Sequence, residues 1–469
     1  MSERAMQPTA MRTGPMSSWE AFARAAGGRW ATRPGAHLPT GASIDTRSIG
    51  AHEVFFALRG ERVDGHDFAR AAGGAGASVV VAEREIDGGG VGVLIVEDVR
   101  TALWLLAGAH RAALREQRTA VIGVTGSNGK TTTVRLVEAA LAAAGPGRRS
   151  VKSFNNDLGV PLTILSARGD DAWLCCEIGT SGPGEIARLT ELASPEIAVI
   201  TSVGRAHLEK LGSVAGVANE KSAILTAGEP AALIRIVPSH SAELGPHLEG
   251  LDGLVRFGVE EQSKVRVVRT EALNVGQRIT LATPIGERSF EVPLAGAHNA
   301  CNAAAAWAVG LAMALDADRV EAGLARAGHA SMRLEVETVR HGGGVVTVIN
   351  DAYNANPESV LAALELLASK PGRRVAVLGD MLELGDASIS AHAEIETRAG
   401  ACADEVILVG ERWGRRSFAL SDDPAIVSRV RAGDTVLIKG SRGVRLERVL
   451  GRLRGPGGAG DVSAEGVAG

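Results

Sequence analysis

Tyrosine occurs once in 469 residues, and all aromatic residues together make up 3% of the chain. Cores built with so few rings must come from alanine, valine, leucine and isoleucine, and the 45% hydrophobic content supplies enough of them. Cysteine is also scarce. Cys175, Cys176, Cys301 and Cys402 show no metal-ligand spacing, and the adjacent pair sits inside an apolar strand pattern. A disulfide scaffold is excluded, and buried thiols in a reducing compartment are expected. No sign of charge dominates: 50 basic and 54 acidic residues leave a net charge of −4. Such a balance gives no global attraction to nucleic acid or to an anionic membrane. No run of about 18 apolar residues occurs, so no membrane-spanning helix is expected. The N-terminus MSERAMQPTAMRTGPMSSW has no apolar signal core. The expectation is a cytoplasmic protein without stable membrane insertion.

What is present is alternation. At about 100–200 residues per domain, the length predicts three domains. Residues 1–98 mix short β-like runs such as HEVFFALRG and GASVVVAER with turns. Residues 99–330 open with the helical TALWLLAGAHRAALREQ and continue with the strands TAVIGVTG, AWLCCEIG and EIAVITSVG. From 331 to 469 the alternation restarts with GGVVTVIN, RRVAVLGD, EVILVGE and DTVLIKGS. Apolar strands alternating with helices predict parallel, doubly wound sheets. The fold class expected is α/β, with a small N-terminal domain, a central phosphate-loop domain and a Rossmann-like C-terminal domain. Disorder is expected over about the first 15 residues and, in the Gly-rich tail, from about 455.

The strongest local signal is VIGVTGSNGKTTTVRL. Gly126, Gly129, Lys130 and Thr131 fall between a β-branched strand and a helix. Glycines there let backbone N–H groups wrap phosphate oxygens, the lysine reaches β/γ-phosphates, and the threonine hydroxyl can ligate Mg²⁺. The full G-x-x-x-x-G-K-[ST] pattern would need glycine at position 124, which holds Val124. ATP is expected rather than a dinucleotide, since G-x-G-x-x-G is absent. In the same domain Glu177 ends a strand, where a carboxylate could meet Mg²⁺. His207 follows a strand and by itself reads as a helix-start or core histidine rather than a ligand, and Lys221 by itself reads as a solvated helix lysine. VINDAYNANPESV places the lone Tyr353 on a strand-to-helix turn, as a pocket wall or a core ring.

These blocks, in this order, resemble the Mur ligases, the ATP-dependent amide-forming enzymes of peptidoglycan synthesis. The resemblance runs from about Asp45 to Leu450 through DTRSIGAHEVFFALRGERVDGHDF, TGSNGKTTT, NNDLGVPLTIL, CEIGTSGPGEI, AHLEKLGS, PLAGAHNACNAAAA, DAYNANPES, LGDMLELG and KGSRGVRLE. DAYNANPES and LGDMLELG look like the branch that adds D-alanyl-D-alanine to a UDP-MurNAc-tripeptide. A KG-x-GHE block, expected of the diaminopimelate- or lysine-adding branch, is replaced by KGSRG. One stretch departs from the family: LIRIVPSH stands at 233–240, where an Asn-Ala-Asp stretch is usual.

The resemblance implies that a peptide carboxylate attacks the γ-phosphate of ATP, and that an amine then displaces phosphate from the acyl phosphate. It implies that Gly126, Ser127, Asn128, Gly129, Lys130, Thr131 and Thr132 hold the nucleotide, with Asn302 at adenine and Arg333, Asp351 and Asn354 on the phosphate and ribose side. Lys130, Glu177, His207 and Lys221 are the implied catalytic set. Thr131 and Glu177 would hold one Mg²⁺ and His207 a second, with Lys221 carbamylated as an anionic ligand. Thr46, Arg47, Arg59, Asp64 and His66 would receive the UDP-sugar, although Arg47 and Arg59 read equally as surface charge. Asn155, Asn156, Tyr353, Asn356, Lys439 and Ser441 are the remaining implied substrate contacts. A monomer is expected. A related ligase, such as a tripeptide-forming Mur enzyme or a folylpolyglutamate synthetase, and a non-catalytic ATP-binding scaffold are the competing readings.

Overall fold

The structure, a computed structural model, describes residues 13–455 apart from 152, 229–232, 274, 329–330 and 415–416. Much of the two expected disordered ends lies outside the described residues. Thr13–Pro15 do not: they lead into a 3₁₀ turn, Gly14–Ser17, that buries Pro15 and Met16. Gly14 packs so closely on helix Val99–Glu116 that a Cβ there would stand 2.5 Å from Cβ of Ala113.

Three sheets carry the chain. The first contains Arg29–Thr32 (β1), Ala42–Ser43 (β2), Val54–Phe56 (β3), Val79–Ala82 (β4) and Gly92–Ile95 (β5), in the order β1-β5-β4-β3-β2. Its strands pair in parallel except β1, which runs antiparallel along β5. VVVA in β4 is buried at all four positions, as expected of a strand covered on both faces.

The central sheet contains Ala120–Thr125 (β6), Gly147–Arg149 (β7), Trp173–Glu177 (β8), Ile197–Ile200 (β9), Ile234–Pro238 (β10), Leu254–Gly258 (β11), Val265–Ala272 (β12), Gln277–Thr283 (β13) and Gly286–Val292 (β14). Their order is β14-β13-β12-β11-β10-β9-β6-β8-β7. The parallel part was expected. The antiparallel extension β12–β14 was not, because VRVVRTEA, QRITLAT and GERSFEV alternate apolar with charged residues and read as surface. One face of this sheet shares a continuous core with the first sheet, from Phe22 and Val54 through Leu103 and Leu106 to Leu174 and Ile186. The alanine-rich helix Ala297–Ala312 fills the other face, and alanine's small volume lets it lie close to the strands.

The third sheet contains Glu335–His341 (β15), Gly344–Asp351 (β16), Arg374–Gly379 (β17), Glu405–Val409 (β18) and Thr435–Lys439 (β19), ordered β15-β16-β19-β17-β18. The four apolar runs predicted from sequence are β16 to β19. The antiparallel edge strand β15, EVETVRH, was missed for the same reason as the central extension. In β16–β19 register, Asp351 sits opposite Lys439 at the carboxyl ends of two neighbouring strands. Open parallel sheets bind ligands at such edges.

Candidate functional site

At the carboxyl end of β6 the chain turns through Gly126 and Gly129 and enters helix Lys130–Ala140. Both glycines are required. Gly126 has φ 151°, and a Cβ there would lie 1.9 Å from Oγ1 of Thr201. Gly129 has φ 81°, and its Cβ would meet Oδ1 of Asn302 at 2.5 Å. The loop is braced from β9. Thr201 Oγ1 donates to Asn128 O (2.5 Å), Ser202 Oγ accepts from Asn128 N (2.9 Å), and Ser127 Oγ accepts from Gly204 N (3.0 Å). The first-turn N–H groups of a helix have no intrahelical acceptor and face the crevice as an anion cradle.

Charge accumulates beside that cradle. Lys130 Nζ donates to Gly126 O at 2.6 Å, and Thr131 Oγ1 donates to Glu177 Oε2 at 2.8 Å. The other carboxylate oxygen of Glu177 accepts from Asn155 Nδ2 at 2.9 Å. Arg333, arriving from the third sheet, donates to Ser153 Oγ at 3.3 Å. Burial pulls the Lys130 ammonium below the ordinary lysine range; Glu177 opposes this and Arg333 adds to it. Lys221, 1% exposed, is pulled down further, first by burial and then by Lys130. Among the described residues the Lys221 amine makes no hydrogen bond or ion pair. Its neighbour Glu220 points elsewhere and accepts the amides of Gly184 and Ile186.

The third sheet closes over this edge. Asn356 caps helix Pro357–Ala368 and donates through Nδ2 to Oδ1 of Asn128 at 2.8 Å, tying the DAYNANP turn to the phosphate loop. Lys439 Nζ pairs with Asp351 Oδ2 at 2.6 Å and donates to Asn354 O at 2.9 Å. Ser441 Oγ accepts from Leu382 N at 2.9 Å. Tyr353 is half-buried, and the guanidinium of Arg333 stacks 4.1 Å over its ring. The ring is therefore a platform for an arginine.

Other predicted residues hold local structure. Asn156 Oδ1 accepts the amides of Leu158 and Gly159 at the start of a helix, and Asn302 donates to Asn299 Oδ1. His66 is buried. Its Nε2 accepts from Glu83 N at 3.0 Å, so Nδ1 carries the proton and donates to Asp64 Oδ1 at 2.5 Å. The backbone N–H of His66 is the largest of the influences holding the Asp64 carboxyl well below the usual range. Arg59 lies 3.4 Å from Glu83 and 3.9 Å from Asp64, and Arg47 pairs with Asp45 at 2.7 Å. Thr132 is half-buried on the loop's helix and Thr46 half-buried beyond β2. No hydrogen bond or ion pair joins Thr46, Arg59, Asp64 or His66 to the phosphate loop among the described residues.

His207 lies at the same edge as the phosphate loop's bracing residues. Its Nδ1 is 2.7 Å from Oε2 of Glu383, close but not aligned as a hydrogen bond, and this contact pulls the Glu383 carboxyl down. Two residues before it, Arg205 grips Glu358 at 2.7 Å and Glu394 at 2.6 Å. Sequence reading left out Arg205, Glu358, Glu383, Glu394 and Ser153. Glu358 and Glu383 stand inside DAYNANPES and LGDMLELG, but nothing local marks either as a partner for a distant charge.

Thr131 and Glu177 meet at 2.8 Å and offer oxygens of the kind a hard divalent cation takes, while no cluster of three or more His, Cys, Asp or Glu able to hold a metal ion occurs among the described residues. Three family models match the chain: the Mur ligase family catalytic domain over residues 40–111, the Mur ligase middle domain over 124–310, and the Mur ligase glutamate ligase domain over 332–442. The UDP-N-acetylmuramoyl-tripeptide–D-alanyl-D-alanine ligase of Bacillus subtilis is 34% identical over 87% of this chain and 92% of its own length. A crystal structure of MurF from Acinetobacter baumannii superposes with a TM-score of 0.79 at 29% identity, covering 92% of this chain and 97% of that one. MurF from Thermotoga maritima in complex with ADP superposes with a TM-score of 0.74 at 29% identity, over 88% and 97% respectively. The chain belongs to the Mur ligase family.

Proposed function

We propose that this chain is the ATP-dependent ligase that joins D-alanyl-D-alanine to a UDP-N-acetylmuramoyl-tripeptide, giving the pentapeptide precursor of peptidoglycan, ADP and phosphate. What carries the reading is a phosphate loop set against a buried carboxylate: Thr131 bonds Glu177 at 2.8 Å beside two pKa-lowered lysines. That edge suits a reaction that gathers phosphates, and the D-alanyl-D-alanine-adding relatives align over most of the chain.

In this reading the loop N–H groups and Lys130 hold the β/γ-phosphates while the tripeptide carboxylate attacks γ-phosphorus. The carboxylate oxygen bonds phosphorus, and the bond to the ADP oxygen breaks. The amine of D-alanyl-D-alanine then attacks the acyl carbon, losing a proton, and phosphate leaves with the bonding electrons. Lys130 and Arg333 bring positive charge to where negative charge builds up. Asn302, Asp351 and Asn354 fall on the nucleotide side. Thr46, Arg47, Arg59, Asp64, His66 and the first sheet receive the UDP-sugar. Asn155, Asn156, Tyr353, Asn356, Lys439 and Ser441 line the acceptor side.

Thr131, Glu177, His207 and a Lys221 carbamate would hold Mg²⁺, which supplies charge neutralisation across the phosphates. The carbamate reading is supported by a buried amine whose charged form burial and Lys130 disfavour and which has no acceptor among the described residues. Its nitrogen can bond the carbon of CO₂ and lose a proton, leaving an anion beside Lys130. Residues 1–98, 99–330 and 331–469 serve as the UDP-sugar, ATP and C-terminal domains of a monomer working in the cytoplasm, where ATP is supplied. No helix of the described residues is long and apolar enough to cross a membrane.

A phosphate-release assay with UDP-MurNAc-tripeptide and ATP tests the whole reading. Release should depend on D-alanyl-D-alanine and not on free amino acids offered in its place. Equal release with a single amino acid, or none with the dipeptide, would sink it.

A further inference from the structure

The third sheet holds the loop after β9 at several points. Arg205 reaches Glu358 and Glu394 on two different helices, and Leu208 packs on the third sheet's core. The amide of Glu209 donates to the carbonyl of Glu383 at 3.1 Å, so backbone as well as side chain is tied. Between these contacts His207 Nδ1 meets Glu383 Oε2 at 2.7 Å.

Both partners of that contact are strained. His207 has φ 56° and Glu383 φ 64°. Neither is glycine, and a left-handed conformation at such residues persists only where the surroundings over-determine it. The strain falls on the two residues that meet across the sheets, one of them the proposed metal-ligating histidine. A carboxylate bonded to one ring nitrogen of a histidine fixes which way the other nitrogen points; here the carboxylate stands at bonding distance from Nδ1 without the alignment of a hydrogen bond.

We propose that Glu383 is a positioning residue for His207: delivered by the third sheet, it orients the imidazole toward the nucleotide edge, so the metal site is complete only when the C-terminal domain is docked. This rests on the reading of His207 as a metal ligand given above. Glu383 itself touches neither metal nor substrate. Arg205, gripping Glu358 and Glu394, holds the loop that presents the ring. Domain docking and metal affinity are then one event, and loss of Glu383 acts on the ion and not on the phosphate loop.

Manganese(II) is the probe, because it takes the same oxygen ligands as Mg²⁺ and is counted by paramagnetic resonance. Titrations use the full chain with a non-hydrolysable ATP analogue and UDP-MurNAc-tripeptide. His207→Ala should lose the weaker of two bound ions. Glu383→Ala should weaken that same ion by about tenfold or more, the size seen when a metal-bound histidine loses its carboxylate. Glu383→Gln, whose amide oxygen still accepts, should fall between, and it decides the matter if the alanine variant does not fold. The tighter ion should be unchanged in both. Wild-type affinity for both ions in Glu383→Ala and Glu383→Gln, with the weaker ion lost in His207→Ala, would overturn the positioning role alone. Equal weakening of both ions in the Glu383 variants would mark general loosening and overturn it as well. Two unaltered ions in His207→Ala would remove the ligand reading and this proposal together.

Discussion

Lys221 and Lys439 are buried almost equally, 1% and 2% exposed, and the fold treats them in opposite ways. Lys439 ends β19 opposite Asp351 at the end of β16, so strand register itself delivers the counter-charge at 2.6 Å. Lys221 sits on helix Val214–Ser222 with another lysine as its electrostatic neighbour and no acceptor among the described residues. An ammonium out of water is tolerated when paired; otherwise it gives up its proton. The third sheet therefore uses a lysine to close its edge, while the central sheet holds one whose charged form burial and Lys130 disfavour. Burial alone would have ranked the two lysines the same. The partner separates them.

Lys130→Ala tests the central edge most severely. Phosphate release should fall on the order of 10²–10³-fold, the loss typical of removing one donor to developing charge, with the melting temperature kept. Near wild-type turnover in a folded variant would mean that the loop does not serve the γ-phosphate. Lys221→Ala should be nearly as damaging, and acetate or formate, anions small enough for the vacated space, should restore part of the activity. An alanine variant with full activity in CO₂-depleted buffer ends the carbamate idea.

Lys439→Met should act on stability. It leaves Asp351 buried without its cation, a change worth about 3 kcal/mol, at the lower end for broken buried pairs because the Leu334 amide still donates to Asp351. Lys221→Met should do the reverse and raise the melting temperature, since it removes an amine whose charged form burial penalises. The pH dependence follows from the same shift. The folded Lys221 titrates below the ordinary 10.5. Between its lowered value and that range the unfolded chain holds the extra proton, so unfolding free energy rises with pH. Chemical denaturation between about pH 7 and pH 10 should show that rise in the wild type and less of it in Lys221→Met. Identical slopes in the two proteins would place the charged form inside the fold.

The phosphate loop was legible because its geometry is written locally: two glycines, a lysine and a threonine between strand and helix need no distant partner. The parallel strands were legible as unbroken apolar runs. β12 to β15 were not, since their half-exposed faces carry arginine and glutamate and imitate a surface segment. Pairings between distant positions were also invisible. Lys439 and Asp351 are 88 residues apart, and only the strand order β16-β19-β17 makes them neighbours. Asn156 shows a further kind of partner that the sequence hides: its side chain accepts backbone amides at the start of a helix. Local chemistry can be read along the chain; which charge answers which depends on topology.

Tyr353 gives the smallest expected effect and sharpens the comparison, because it belongs to the third sheet but serves a charge on the central edge. Arg333 stacks 4.1 Å over its ring and reaches Ser153, which in turn lies 3.5 Å from Thr131. The ring therefore sets where a guanidinium stands near the phosphates. Such stacking is worth about 0.5–1 kcal/mol at a partly exposed site, hence roughly a two- to fivefold change in binding. Tyr353→Phe keeps the face and loses only the hydroxyl, so its KM for ATP should stay within error of wild type. Tyr353→Ala removes the platform and should raise that KM by roughly two- to fivefold, with little change in melting temperature because the ring is only half-buried. If Tyr353→Ala instead loses a few kcal/mol of stability while KM holds, the ring is core and Arg333 finds its place without it. If Tyr353→Phe is as impaired as Tyr353→Ala, the hydroxyl carries the effect, and the tyrosine contacts ligand directly rather than through the arginine.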